Sequence, residues 1–252
     1  MKKTLATATL LFFTAFLNAQ TLEEAPDAAK LYNEGNGLRK AGNYEGAVAK
    51  YDEALQQSND YRIYYQKGIT LKKLRNYAEA IEAFSQSVKS NPDFDLSYNG
   101  LGGTYFADGK YQEAADAFKK FEELTDKPKY KNQAKEYFAR AYTKLGNNAK
   151  NDGKFDQAIK YLKEAVEKSP LDAAYLMLAE IYVDLAKFDE ALTAADNALN
   201  NRKKISRGGP LYYKGKAFLG KNDVAKAREA FTAGKKDPKY AKLCDYELKQ
   251  MN

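Results

Sequence analysis

The sequence has no histidine and no tryptophan, a single cysteine, and only six prolines in 252 residues. Without histidine there can be no Ser/His/Asp or Cys/His nucleophile system and no imidazole-ligated metal. The lone thiol, Cys244, cannot close an internal disulfide, so stability has to come from packing even in an oxidising compartment. Calcium-loop spacing and phosphate-cradling glycine motifs are also missing. The acidic residues are scattered singly, and solvated helix charges account for them more economically than a buried acid/base pair. The expectation is therefore no catalytic residues, no metal and no cofactor.

Long apolar runs are absent apart from one at the start. Lys2 and Lys3 precede an uncharged stretch from Leu5 to Leu17, followed by Asn18, Ala19 and Gln20. The run falls short of the roughly 18 residues of a membrane span, and Ala19 is the small residue a signal peptidase needs. Residues 1–19 thus read as a secretory signal peptide cut after Ala19, with an uncleaved anchor as the alternative. No cysteine follows the run to carry a lipid. The folded part is expected to be exported, to the periplasm of a Gram-negative-type bacterium, with secretion or peripheral attachment to the envelope as alternatives. The formal charge of +7 includes Lys2 and Lys3, so the mature chain is only mildly basic, with both signs interspersed. Nucleic acid is not an expected partner.

What is abundant is regular. A small residue, an aromatic nine positions on, Ala three further and a large apolar residue four further recur along the chain. The copies are Gly35, Tyr44, Ala47, Tyr51; Gly68, Tyr77, Ala80, Phe84; Gly102, Tyr111, Ala114, Phe118; and Gly146, Phe155, Ala158, Leu162. Weaker copies are Ala179, Phe188, Ala191, Ala195 and Gly215, Val224, Ala227, Phe231. Each small residue and each alanine removes bulk where two helices would cross, and the aromatics fill the space beside them. Gly42, Gly109 and Gly153 suit left-handed helix ends; Asn43, Asn76 and Asp223 suit N-caps; Pro92 and Pro170 close second helices.

The pattern resembles the tetratricopeptide-repeat (TPR) family over nearly the whole mature chain. The third copy carries Tyr98, Leu101, Gly102, Tyr105, Gly109, Tyr111, Ala114 and Phe118 at the family's signature positions. The resemblance implies an all-α, right-handed superhelical solenoid of about six helix-turn-helix repeats. A flexible segment is expected at 20–27. The repeats are expected near 28–60, 61–94, 95–128, 139–171, 172–204 and 208–238, with a capping helix over 239–252.

The small residues lie at 35, 68, 102, 146, 179 and 215, giving intervals of 33, 34, 44, 33 and 36. The extra ten residues keep one apolar stripe at helical spacing: Tyr130, Ala134, Tyr137, Phe138, Ala141, Tyr142 and Leu145. This predicts a helical insertion at 129–138 within one long helix from Tyr130 to Asn151, dividing the array into two groups of three. The span 200–210, with Arg202, Lys203, Lys204 and Arg207 before Gly208, Gly209 and Pro210, reads as a basic loop. Cys244 shares a helical stripe with Tyr240, Leu243 and Leu248 and reads as a core residue of the terminal lid.

The resemblance also implies which first-helix side chains line a concave groove. Carried over one at a time they are Tyr32, Asn36, Arg39 and Lys40; Arg62, Tyr65, Ile69, Lys72 and Lys73; Asn99 and Phe106; and Arg140, Asn147 and Lys150. The fifth unit offers Leu176, Glu180 and Asp184 instead. One family subset clamps a terminal carboxylate, but Tyr32 stands where that set has Lys, and Leu96 and Gly100 stand where it has cations. The implied function is a non-catalytic, monomeric scaffold that holds an acidic peptide or a partner's helix. A second reading is envelope glycan or small-ligand binding through Tyr32, Tyr65 and Tyr212. A third is self-assembly through an uncapped end.

Overall fold

The computed structural model describes residues 25–251. The expected signal peptide, residues 1–19, lies outside the described residues. Thirteen α-helices are present among them, with no strand. They form six antiparallel pairs and one final helix. The pairs are α1 (Pro26–Lys40) with α2 (Tyr44–Leu55), α3 (Tyr61–Lys73) with α4 (Tyr77–Ser90), and α5 (Asp95–Ala107) with α6 (Tyr111–Leu124). Next come α7 (Pro128–Asn151) with α8 (Phe155–Lys168), α9 (Asp172–Asp184) with α10 (Phe188–Asn200), and α11 (Gly208–Gly220) with α12 (Val224–Gly234). The last helix is α13 (Ala241–Gln250). Every closely packed pair of helices is one or two apart in chain order.

The crossings follow from the small residues. A methyl built on Gly35 would lie 2.7 Å from Tyr51, on Gly68 2.9 Å from Phe84, on Gly102 2.7 Å from Phe118 and on Gly146 2.7 Å from Leu162. In these four pairs, and in α11/α12 with Gly215 against Phe231, the small residue of the first helix receives the large apolar residue sixteen positions on, from the second. Tyr51, Phe84, Leu162 and Phe231 are fully buried there. Burial of such side chains contributes roughly 1.5 to 3 kcal/mol each.

Each pair turns through the same left-handed residue. Gly42, Gly109 and Gly153 have φ of 84°, 80° and 74°, and the equivalent positions in the other pairs are Arg75 (63°), Ala186 (55°) and Asn222 (60°). The following N–H closes the turn onto a carbonyl five residues back, as from Asn43 to Leu38, Lys110 to Tyr105 and Lys187 to Tyr182. Asn43 and Asp223 accept the N–H of Gly46 and Lys226 as N-caps. Asn76 does not: its side chain makes no capping bond, so the turn at Arg75 is held by backbone bonds alone.

Four details differ from the sequence reading. The first helix starts at Pro26, inside the segment read as flexible, because proline at a helix start loses no hydrogen bond and Asp27 suits the first turn. The 24-residue α7 does not part the array on its outer side. Its added turns lie on α6, with Tyr130 against Phe121 and Tyr137 against Phe118, while Glu122 of α6 faces Lys135 and Lys168. The basic loop ends at Arg207: Gly208, Gly209 and Pro210 are the buried first turn of α11. Glycines are needed there because Asp237 and Tyr240 press on that turn, and Asp237 accepts the Gly208 N–H. In α13, Cys244 is fully buried with Phe231 and Ala227, but Leu243 is 47% exposed and leaves the lid's inner stripe to Tyr240, Leu248 and Met251.

Candidate functional site

First helices α1, α3, α5, α7, α9 and α11 line the inner side of the stack. They touch as α1/α3, α3/α5, α7/α9 and α9/α11, whereas α5 and α7 are not among the closely packed pairs. The added length of α7 is absorbed against α6, and the inner side opens at that step. A cavity of about 610 Å³ occupies the opening.

Seven of the fourteen expected groove residues meet there: Tyr65, Ile69, Lys72 and Lys73 of α3, Asn99 and Phe106 of α5, and Arg140 of α7. Tyr65 stands edge-on to Phe94 at 5.1 Å and tilted against Phe84, and its hydroxyl pKa is raised by burial and then by Asp95. The Lys72 ammonium lies over Gly103, where a methyl would come within 2.5 Å of Nζ. Burial, and then the charge of Lys73, hold its pKa below the ordinary lysine value. No acidic side chain pairs with Lys72 or Lys73 among the described residues. Arg140 is placed by Glu136 one turn back and by the Tyr137 ring, 5.6 Å from the guanidinium carbon. The result is an aromatic-walled trough with a half-buried, unneutralised cation at its floor.

The other expected residues lie elsewhere or are committed internally. The side-chain carbonyl of Asn36 accepts the Tyr51 hydroxyl at 2.9 Å, and Arg39 lies beside the same hydroxyl, so both serve the first crossing. Arg62 is doubly bonded to Asp60, at 2.9 and 2.8 Å, and fixes the start of α3. Lys150 is ion-paired with Glu180 at 2.8 Å. Tyr32, Lys40 and Asn147 do not line the cavity. Towards the last pair the groove neutralises itself: Glu247 receives Lys216 and the Tyr212 hydroxyl. Tyr212, read as an exposed ring, is wedged against Phe231 and Tyr240, and burial followed by Glu247 pushes its pKa up to about 12.

Sequence reasoning missed Arg75, Tyr77, Gly100 and Gly103 as cavity residues. The run Gly100, Gly102, Gly103 was a usable signal. One glycine serves the helix crossing, and the other two leave room for the Phe84 ring and the Lys72 ammonium. No group of three or more His, Cys, Asp or Glu that could hold a metal occurs among the described residues. None of their helices is long and apolar enough to cross a membrane.

Stacked helical hairpins with a small residue at each crossing and a side-chain-lined inner face define a superhelical repeat protein. Tetratricopeptide-repeat family models match residues 65–128 and 151–206. The chain is 31% identical over 116 residues to an Hsp70-Hsp90 organising protein of Plasmodium falciparum, covering 45% of each chain. A second such protein, from isolate 3D7, matches at the same identity over 20% of its length. The chain therefore spans less than half of either relative. Among solved structures, YrrB, described as a TPR protein with an unusual peptide-binding site, superposes with a TM-score of 0.52 at 18% identity. That match covers 79% of this chain and 97% of YrrB. The chain belongs to the tetratricopeptide-repeat family, whose members generally act as non-catalytic interaction scaffolds.

Proposed function

We propose that this protein is a non-catalytic, monomeric scaffold of the cell envelope. It holds an extended peptide or a helix of another polypeptide in the trough between α3, α5 and α7. The observation that carries the reading is the half-buried Lys72 ammonium, without an acidic partner, on the floor of an aromatic-walled cavity. Such a site is incomplete until an apolar side chain meets Tyr65 and Phe106 and an anionic group meets Lys72. The matched relative, named for organising Hsp70 and Hsp90, agrees with a polypeptide as the occupant. Export rests on the leader-like first nineteen residues. The half-buried, hydrogen-bonded state of Tyr212 weakens the alternative of sugar stacking on exposed tyrosines.

The test is photo-crosslinking in intact cells, followed by isolation of the envelope. A photoreactive residue replaces Asn99 or Phe106 in the trough, or exposed Glu79 or Gln112 on the second helices. A discrete polypeptide adduct from the trough positions alone, on a chain that begins at Gln20, is the expected result. Adducts from the outer positions alone would refute the groove. A chain beginning at Met1 and confined to the cytosol would refute export.

A further inference from the structure

The trough does not stop at Arg140. A second cavity, of about 310 Å³, shares Phe106 and Arg140 with the first and continues between α7, the start of α9 and the loop 201–207. This loop has no counterpart in the repeat pattern. Its form comes from one buried carboxylate: Asp172 Oδ2 accepts the N–H groups of Lys203 and Lys204 at 2.6 Å and of Ile205 at 3.1 Å. Asp172 Oδ1 accepts the Ala173 N–H at 2.8 Å. Burial raises the pKa of this carboxyl, but the backbone donors outweigh it and hold it below the ordinary value. With the backbone pinned from within, Lys203 and Lys204 remain exposed and contribute to the cavity wall.

The charge balance of the wall is one-sided. Arg140, Lys144, Lys203 and Lys204 face only Glu136 and Asp172. Glu136 is taken by Arg140, and all of the Asp172 bonds described go to backbone N–H. Lys144, Lys203 and Lys204 have no ion-pair partner among the described residues. Three unneutralised ammonium groups thus stand where the trough leads out between α5 and α7.

We propose that the loop 201–207, with Arg140 and Lys144, is a second subsite that receives a run of Asp and Glu side chains from the polypeptide held in the trough. The inference rests on the groove reading and adds direction: the apolar part of the partner lies at α3 and α5, and its acidic part passes α7 towards the loop. The shared residues Phe106 and Arg140 favour a continuous chain over a separate polyanion, which would need charge but not the junction.

Two fluorescein-labelled peptides test it, each carrying a Leu-Phe pair followed by a run of either Glu or Gln. The protein with Lys203→Glu and Lys204→Glu is compared with the unaltered chain and with Lys72→Glu, each checked for an unchanged melting curve. The unaltered chain should bind the Glu peptide about tenfold more tightly at low salt, and the loop variant should lose that preference while keeping its affinity for the Gln peptide. Retention of the preference by the loop variant would overturn the subsite and leave the trough standing. If Lys72→Glu changes binding of neither peptide, or the unaltered chain binds neither, the trough reading itself falls. Equal binding of a Glu run lacking the Leu-Phe pair, lost in the loop variant, would replace the subsite with a free-standing polyanion surface.

Discussion

Lys72 shows how a single side chain can be set against the stability of its own fold. Its ammonium has lost part of its hydration over Gly103 and has gained no carboxylate in return. Replacement by Met should therefore stabilise the protein by about 0.5–1 kcal/mol at neutral pH while weakening partner binding. The pH dependence has a definite sign. With the folded value below 10.5, the unfolded chain holds more protons than the folded one between the two values, so stability rises with pH there. Urea titrations of both proteins should show the advantage of Lys72→Met intact below that window and shrinking as pH climbs towards 10.5. An advantage that grows with pH would mean that Lys72 has a carboxylate partner in solution.

At the level of the element, the six turns are one device with different residues in it. Glycine occupies the left-handed position in three pairs, but Arg75 and Ala186 adopt it at a steric cost of roughly 1 kcal/mol each. Ala186 is exposed, so Ala186→Gly should raise stability by about that amount and leave binding unchanged. Arg75→Gly should give a similar gain but reduce partner affinity, because Arg75 lines the trough. Thermal melts and peptide titrations of the two variants check both halves of the statement. Elements were also where the sequence spoke most plainly. The spacing of Gly35, Gly68, Gly102 and Gly146 and their large partners fixes the hairpins, since each glycine is a contact as well as a letter. Gly208 and Gly209 misled because glycine before proline has the same composition in a loop as in a crowded helix start. Only the side chains of Asp237 and Tyr240, nearly thirty residues on, decide which it is.

For the whole molecule, curvature and the site come from different sources. The repeats supply the stack, but the trough exists because α7 is longer than its peers and spends the excess on α6, leaving a gap beside α5. The apolar stripe from Tyr130 to Leu145 announced the helix. Which neighbour it would lie on depends on side-chain contacts between elements that the repeat pattern does not specify, such as Tyr130 with Phe121, so the opening was not legible. The groove assignments followed the same division. Ile69, Lys72, Asn99 and Phe106 could be placed from repeat position alone, whereas Arg62 was claimed by Asp60, outside the groove positions, and Lys150 by Glu180, the groove position of the next unit. The C-terminal end behaves as in other stacked arrays, with α13 covering Phe231 and Ala227. A chain ending before α13 should lose the last pair at a lower temperature than the rest, giving two calorimetric transitions in place of one. A single unshifted transition would mean that the lid contributes nothing.

Since no helix among the described residues packs closely beyond its second neighbour, each hairpin has almost everything it needs within the chain already made. Such a protein can be assembled in the order of its synthesis. As it emerges end first, from a ribosome or from any narrow exit, Gly35 can close on Tyr51 before Gly68 has appeared. At every moment the unfinished chain exposes only the face of its latest hairpin.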